Sequence, residues 1–463
     1  MAPSSSPHIV LFPFMSKGHT IPLLHLARLL LRRGITVTVF TTTLNSPFIR
    51  GSLTDTKAIV IDLSFPENIP QLPPGVESTD KLPSLSLFIP FVNSTILMQT
   101  EFDLALQTLS NVTCIISDGF LGWTRCSALK LGVPRLVFYG MNNYAMAISE
   151  AVSISRPHAH IDSLDEPFTV PGFPWIKLTR NDLEPPFNDP NPKGDRWDFV
   201  IEQVTANMQS NGFVVNSFYE LETKFVDHLN AGPGPKVWCV GPLCLADSPK
   251  IVQPQPKYKP IWMEWLDEKL SKGEPVLYVA FGSQAEITVE QLREIADGLE
   301  KSKVNFLWVV RSNGLEYLEE FKKRAKDKGL VINEWVDQVA ILSHQSVSGF
   351  MSHCGWNSAM ESICAAVPIL AWPMMAEQHL NARMLVEELG VGVPVLTKNG
   401  SVRGFISSEC IENTVKELME GKKGKEAREN VKEFRDLAMK AMDEDGSSST
   451  TLDLLIEEVC WKN

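Results

Sequence analysis

Runs of apolar residues alternate with amphipathic stretches twice along this chain of 463 residues. Uninterrupted apolar runs predict strands buried on both faces, and the stretches between them predict helices that cover a parallel sheet. Two such series therefore predict two doubly wound α/β domains. The first series of predicted strands comprises residues 8–14, 37–40, 58–63, 113–117, 135–138 and 212–217, and the second comprises 276–281, 305–310, 330–332, 347–352 and 369–372.

A proline-rich stretch without apolar periodicity separates the two series, and such a composition is typical of a linker. We therefore predict a first domain over residues 1–248, a linker over 249–260 and a second domain over 261–446. A last helical stretch is expected over residues 447–463.

Charge and cysteine content exclude several classes of protein. The formal net charge of −12 and the pI of about 5.4 argue against nucleic acid or an anionic membrane as a partner. The eight cysteines contain no CxxC pair, so neither a zinc site nor a disulfide framework is expected. The sequence shows no signal peptide and no apolar run of the roughly 20 residues that a membrane span needs. We expect a cytoplasmic protein.

Residues 335–378 hold every group that a nucleotide sugar requires. Predicted strand 347–352 leads through a tight turn into a predicted helix over 355–366, whose first backbone N–H groups suit a phosphate. Glu361 lies one helical turn after Asn357 and Ser358, where a carboxylate can accept ribose hydroxyls. Trp335 offers a flat surface for a base, and Gln378 follows the next predicted strand. This spacing predicts a binding site for a nucleotide sugar.

Two polar residues follow predicted strands of the first series. His19 lies in the loop after the first strand, and Asp118 ends the strand that begins at residue 113. Ligands of open parallel sheets bind at the carboxyl ends of the strands, so these residues are candidates for a base and its orienting partner. The loop around His19 lacks the GxGxxG pattern of dinucleotide-binding oxidoreductases.

The stretch from Trp335 to Gln378 resembles the signature of the plant family-one UDP-sugar glycosyltransferases, and the Gly18-His19 motif near the start resembles the same family. The resemblance implies two Rossmann-like domains that face each other, the GT-B fold, with the last helix packed on the first domain. It also implies that His19 is the general base and that Asp118 is its partner. No metal or cofactor is implied.

The same resemblance assigns the donor contacts. Trp335 would stack on uracil, and the backbone of Val336 would pair with its edge. The remaining implied contacts are Gln338 and Glu361 to the ribose; His353, Gly355, Asn357, Ser358 and Ser283 to the diphosphate; Trp356, Glu377 and Gln378 to the sugar; and Thr20 to the sugar or diphosphate.

Gly140 departs from the family pattern, because many members have a threonine there that contacts the sugar. Gln378 resembles the glucose-preferring members. The expected activity is inverting, metal-independent transfer of glucose from UDP-glucose to a hydroxyl of a small lipophilic acceptor, a flavonoid or another phenol, by a monomer. The candidate acceptor residues are Phe88, Phe91, Phe120, Trp123, Met141 and Tyr144.

Three alternatives stay open. In the first alternative, the donor chemistry is the same but the acceptor is a terpenoid, a steroid or a hormone, or the sugar is transferred to a carbon atom of a phenol. Acceptor loops vary on one scaffold, so the sequence allows each of these. A UDP-sugar binder without transferase activity would also use the donor stretch, but it would not need His19 and Asp118. Asp443 and Asp445 match the DxD pattern of metal-dependent transferases, but their charged, Gly-Ser-rich surroundings favour a solvated loop.

Overall fold

The computed structural model describes residues 6–246, 259–310 and 316–461. Residues 249–258 of the predicted linker lie outside these ranges. The strands are β1 His8–Phe12, β2 Thr36–Thr42, β3 Ile59–Leu63, β4 Val112–Asp118, β5 Arg135–Tyr139, β6 Phe168–Val170, β7 Phe173–Leu178, β8 Gly212–Val215, β9 Lys236–Cys239, β10 Val276–Ala280, β11 Asn305–Val309, β12 Gly329–Ile332, β13 Val347–Ser352, β14 Ile369–Ala371 and β15 Gly392–Pro394.

Helices connect most of these strands, as the amphipathic stretches predict. The α-helices are α1 Lys17–Arg32, α2 Ser46–Ser52, α3 Phe88–Ser94, α4 Gln99–Thr108, α5 Thr124–Leu131, α6 Asn143–Ser155, α7 Asp195–Met208, α8 Tyr219–Ala231, α9 Ile261–Ser271, α10 Val289–Ser302, α11 Glu316–Ala325, α12 Gln338–Leu342, α13 Trp356–Cys364, α14 Gln378–Arg383, α15 Ser408–Met419, α16 Lys422–Met442 and α17 Ser447–Trp461.

The described residues form two compact units. The first contains residues 6–143, 192–246 and 439–461, and the second contains 144–191, 259–310, 316–438. The sequence predicts that residues 144–191 belong to the first domain, whereas this segment packs within the second unit. There Arg383 pairs with both carboxylate oxygens of the buried Asp182, at 2.7 and 3.0 Å. The predicted domain bounds remain a prediction.

The first unit is built on a seven-stranded parallel sheet in the order β3-β2-β1-β4-β5-β8-β9. Alternate residues of β1 enter cores on opposite faces, with Ile9 on one face and Val10 on the other. This two-sided burial is the physical reason for the uninterrupted apolar run. Leu452 and Leu455 of α17 lie in the same core as Ile9 and the apolar side of α1.

The second unit contains a six-stranded parallel sheet in the order β12-β11-β10-β13-β14-β15. This is the order of a dinucleotide-type doubly wound sheet, in which ligands bind where the strand order reverses. Val279 and Tyr278 of β10 enter cores on opposite faces. A separate antiparallel pair, β6 and β7, belongs to the same unit.

The apolar runs predicted 11 of these strands within a few residues, but they missed β6, β7, β9 and β15. Strands β6 and β15 have three residues each, and β15 ends in a proline. Strand β7 has three buried and three exposed residues, so it is not an uninterrupted buried run. A search for uninterrupted apolar runs does not detect such strands.

Candidate active site

The carboxylate of Asp118 lies within hydrogen-bond distance of the imidazole of His19. His19 occupies the first turn of α1, and Asp118 ends β4, the strand that pairs with β1. The Nδ1 atom of His19 lies 2.7 Å from Oδ2 of Asp118, and their side chains are 24% and 2% exposed. A carboxylate only accepts hydrogen bonds, so Nδ1 carries the proton and the neutral ring keeps its lone pair on Nε2.

The other carboxylate oxygen of Asp118 is held as well. Its Oδ1 accepts a hydrogen bond from the backbone N–H of Phe120 at 2.9 Å. With both oxygens engaged, the carboxylate has a fixed direction toward His19. The arrangement can therefore orient the imidazole and stabilise it when it becomes an imidazolium.

Two aromatic rings lie beside the imidazole of His19. The ring centroids of Phe14 and Phe120 lie 5.6 and 5.4 Å from the imidazole centroid. Phe199 of α7 lies 6.0 Å from Phe120. These apolar rings lower the local polarity beside the imidazole, which suits a flat apolar ligand. The sequence analysis missed Phe14 and Phe199, because a single phenylalanine in an apolar run looks like any core residue.

A cavity of about 330 Å³ borders this aromatic group. Phe120, Trp123 and Phe199 line it, together with carboxylates of α7. Phe88, another predicted acceptor residue, lies 5.5 Å from Phe120. The remaining predicted acceptor residues are the buried Phe91, the half-buried Met141, and Tyr144, which is buried in the second unit.

A tight turn joins β13 to α13, as the sequence predicts. Cys354 has a positive φ of 62°, and its N–H donates to Oγ of Ser352 at 3.1 Å. Gly355 precedes the first helical residue, Trp356. The N-terminus of α13 therefore carries the positive end of the helix dipole, and Asn357 and Ser358 lie in its first turn.

His353 lies in this turn as a neutral imidazole. Burial lowers the pKa of His353 to about 4. A Cβ atom added to Gly282 would stand 2.7 Å from Nε2 of His353, and one added to Gly355 would stand closer still. Gly282 has a φ of +75° and immediately precedes Ser283, the other predicted diphosphate contact. Two glycines thus create the space that the ring occupies.

Glu361 and Gln338 form a hydrogen-bonded pair behind the helix start. The Nε2 group of Gln338 donates to Oε2 of Glu361 at 2.7 Å and to Oγ of Ser358 at 2.8 Å. Burial raises the pKa of Glu361 to about 7, the charge of Asp337 adds to this rise, and the Gln338 amide opposes it. Trp335, which precedes them, is 51% exposed.

The side-chain carbonyl of Gln378 is fixed by the backbone. Its Oε1 accepts hydrogen bonds from the N–H groups of Met374 and Met375, each at 3.0 Å. Because those donors identify the oxygen, Nε2 is the end that can donate to a ligand. Buried Asn381 donates to the carbonyl of Cys354 at 2.9 Å and to Glu377 at 3.4 Å, joining the two parts of the donor stretch. The sequence analysis missed Asn381, although its position one turn after Glu377 was a usable signal.

The remaining sequence candidates lie as follows. The hydroxyl of Thr20 donates to the backbone oxygen of Phe14 at 3.2 Å. A Cβ atom at Gly140 would stand 3.1 Å from Cε1 of His19. In the described part of the chain, no three His, Cys, Asp or Glu side chains lie together as metal ligands would. Within the same residues, no helix is long and apolar enough to cross a membrane.

Comparison with known proteins accounts for this combination of sheets and side chains. Residues 255–444 match the family model described as UDP-glucoronosyl and UDP-glucosyl transferase. UDP-glycosyltransferase 90A1 of Arabidopsis thaliana is 54% identical over 466 residues, which cover 98% of this chain and 96% of the relative. This chain belongs to the plant family-one UDP-glycosyltransferases.

Two further relatives extend the comparison. The scopoletin glucosyltransferase of Nicotiana tabacum is 35% identical to this glycosyltransferase and covers 98% of both chains. The crystal structure of a Glycyrrhiza uralensis glycosyltransferase complexed with glycyrrhetinic acid 3-O-monoglucuronide has a TM-score of 0.88 at 31% identity, covering 98% of this chain and 96% of that one. The predicted family, the fold class of two parallel-sheet Rossmann-like domains and the enzyme class are confirmed.

Proposed function

We propose that this glycosyltransferase moves glucose from UDP-glucose to a hydroxyl of a small lipophilic acceptor, a flavonoid or another phenol, with inversion at the anomeric carbon. The observation that carries the proposal is the 2.7 Å hydrogen bond between His19 and Asp118. It supplies an oriented neutral imidazole, the group that a phenolic or alcoholic acceptor needs to lose its proton. A UDP-sugar binder would have no use for it.

The proposed reaction is a single displacement. Nε2 of His19 takes the proton of the acceptor hydroxyl, and the oxygen forms a bond to the anomeric carbon. The bond from that carbon to the diphosphate oxygen breaks on the opposite face, so UDP leaves with the bonding electrons. The nearby carboxylate of Asp118 stabilises the imidazolium that forms.

Negative charge develops on the leaving diphosphate. In the proposed mechanism, hydrogen-bond donors of the UDP-sugar site stabilise this charge. The backbone N–H groups at the start of α13 and the side chains of His353, Asn357 and Ser358 supply donors there. Ser283 and Thr20 contribute further contacts. Because these groups are fixed in place before the reaction, they stabilise the charge without reorganising.

The proposed contacts to uridine and glucose come from the stretch between Trp335 and Gln378. Trp335 stacks on uracil, and the backbone of Val336 pairs with its edge. Glu361 accepts the ribose hydroxyls, with Gln338 positioned beside it. Nε2 of Gln378, with Glu377 and Trp356, binds the hydroxyls of glucose.

The acceptor class is supported by the aromatic group beside His19. Phe14 and Phe120 flank the imidazole, and the neighbouring cavity of about 330 Å³ is lined by Phe120 and Phe199. Flat aromatic walls favour flat aromatic ligands. The name of the scopoletin glucosyltransferase agrees with a phenolic acceptor. The glycyrrhetinic acid derivative bound to the Glycyrrhiza uralensis relative keeps a terpenoid acceptor as the second candidate.

Product analysis tests the proposal. The purified protein is incubated with UDP-glucose, EDTA and a panel of flavonoids, simple phenols and terpenoid alcohols, and the products are identified by mass spectrometry. Variants His19→Ala and Asp118→Asn are run beside it, with His160→Ala, an exposed histidine, as the matched control. Acid hydrolysis separates O-glucosides, which are cleaved, from C-glucosides, which survive.

The expected result is an acid-labile hexose adduct on a phenol that forms in EDTA and in His160→Ala. His19→Ala should lose about 10²-fold or more of the rate, which is the usual contribution of a general base. Full activity in His19→Ala would overturn the base assignment. Adducts on terpenoid alcohols alone would replace the phenolic acceptor by the second candidate, and UDP-glucose binding without any adduct would favour the binder.

A further inference from the structure

Beneath the Asp118 turn lies a buried arginine that the sequence analysis did not single out. Arg135 is the first residue of β5, the strand beside β4, and it is 1% exposed. Removing a guanidinium from water is costly, and buried arginines are usually paired with a carboxylate. The position of Arg135 therefore requires an explanation.

The hydrogen-bond partners of Arg135 are all neutral. Its guanidinium donates to side-chain oxygens and to two backbone carbonyls. The acceptors are Oγ of Ser117 at 2.8 Å, Oγ1 of Thr124 at 3.0 Å, Oδ1 of Asn207 at 3.0 Å, Oγ of Ser210 at 2.9 Å, and the backbone oxygens of Asp118 at 3.2 Å and Leu121 at 3.4 Å.

These contacts span the whole turn that carries Asp118. Ser117 precedes Asp118 on β4, and Thr124 begins α5, so one planar guanidinium joins the end of the strand to the start of the next helix. Asn207, one of the acceptors, donates in turn to the backbone oxygen of Gly119 at 3.0 Å. The turn is therefore held from below along its length, and lysine, a single ammonium, could not reproduce this fork.

The positive charge of Arg135 also acts on Asp118. Burial lowers the pKa of Arg135 to about 10, and the negative charge of Asp118 opposes that decrease. The other titratable groups around the pair are Tyr139 on β5, Arg125 on α5 and His19 on α1.

We propose that Arg135 is a positioning residue for the His19–Asp118 pair. Its six hydrogen bonds fix the turn that aims the Asp118 carboxylate at Nδ1 of His19. The inference rests on the proposed roles of His19 as base and Asp118 as partner. Arg135 itself contacts neither substrate.

The pH profile of the reaction distinguishes this role from ordinary core stability. Arg135→Met removes a buried positive charge beside the reacting groups, so the acidic limb of kcat/KM should move to higher pH. In Arg135→Met we expect a shift of about one pH unit and a decrease in kcat of about 10- to 100-fold. Arg135→Lys keeps the charge and loses the fork, so kcat should decrease several-fold while the acidic limb stays in place. The affinity for UDP-glucose, measured by calorimetry, should not change in either variant.

Arg28 offers the matched control. It is also buried in the first unit, at 8% exposed, but it pairs with Asp55 and the backbone oxygen of Ser52. Arg28→Met should lower Tm and leave the acidic limb unchanged. If Arg135→Met lowers Tm as Arg28→Met does but keeps the wild-type limb and kcat, Arg135 is only structural and the inference is wrong.

Two further outcomes keep the test decisive. If Arg135→Met does not fold, Arg135→Lys carries the test, and wild-type kcat in that variant would overturn the inference. His19→Ala separates the two proposals. Full activity in His19→Ala would remove the base assignment itself, whereas an inactive His19→Ala beside an unaffected Arg135→Met would refute the role of Arg135 alone.

Discussion

Gly140 lies against the imidazole of His19, so closely that a Cβ atom at position 140 would stand 3.1 Å from Cε1 of the ring. The same Cβ would lie 3.4 Å from Nδ1, the atom that faces Asp118. The absence of a side chain at this position therefore affects the base directly.

Gly140→Ala should displace the imidazole by a few tenths of an ångström and reduce kcat by about 10-fold, because small misplacements of reacting groups are costly. Affinity for UDP-glucose should stay at the wild-type value. Steady-state kinetics and calorimetry measure the two quantities. Gly51→Ala, where the new Cβ meets no atom within 4 Å, is the control. A Gly140→Ala enzyme with wild-type kcat would show that the imidazole has room to move.

Glu361 should make donor binding depend on pH. With its pKa raised to about 7, this group is largely protonated at pH 6 and largely ionised at pH 8. Only the carboxylate accepts both ribose hydroxyls, so affinity for UDP-glucose should decrease about tenfold from pH 8 to pH 6, as one titrating group allows. His353, with its pKa lowered to about 4, stays neutral throughout this range.

Calorimetric titration with UDP-glucose across that pH range measures the effect. Glu361→Gln should bind more weakly at pH 8 and lose the pH dependence, whereas Glu409→Gln, an exposed position on α15, should behave as wild type. Equal affinities at pH 6 and pH 8 would contradict the assignment.

The effect of Glu361 on stability has the opposite sign. Since the folded-state pKa of Glu361 lies above the usual 4.5, its ionisation lowers the free energy of unfolding as pH rises from about 4.5 to 7.

The side chain of Gln378 accepts hydrogen bonds from the backbone through Oε1 and is proposed to bind the sugar through Nε2. One substitution can separate these two functions. Gln378→Glu keeps an oxygen that can accept from the N–H groups of Met374 and Met375, but it replaces the Nε2 donor by a second acceptor. We expect affinity for UDP-glucose to decrease about tenfold, the loss typical of one hydrogen bond in a binding site. Affinity for UDP, which lacks the sugar, should be unchanged. Equal losses for both ligands in competition calorimetry would mean that Gln378 acts through the turn.

A substitution at Gly282 tests whether donor binding depends on the position of the His353 imidazole. Gly282→Ala combines a positive φ of 75° with a new Cβ atom 2.7 Å from Nε2 of the ring, so UDP binding should weaken as the ring moves. Gly132→Ala has the same strain, at φ +74°, but its Cβ meets no atom within 4 Å. Each variant should lose about 1–2 kcal/mol of the free energy of unfolding from backbone strain. Weakened UDP binding in both variants would point to global destabilisation.

The donor stretch could be predicted because it is local. Within residues 347–364 the distances between the implied ligands follow largely from one strand, one turn and one helix, and the structure has strand β13 over the predicted residues 347–352. Helix α13 ends two residues earlier than predicted, at Cys364. The pairing of Gln338 with Glu361 was not predicted, since α12 and α13 must pack before those side chains meet.

The sequence by itself determined the two parallel sheets, because strands buried on both faces need uninterrupted apolar runs, and it determined the residue types of the donor stretch. Only the tertiary structure decided that His19 lies against Asp118, 99 residues away, and that Arg135 lies beneath the Asp118 turn. It also decided that residues 144–191 pack in the second unit. These relationships depend on strand order, register and long-range packing, and no local period along the chain records them.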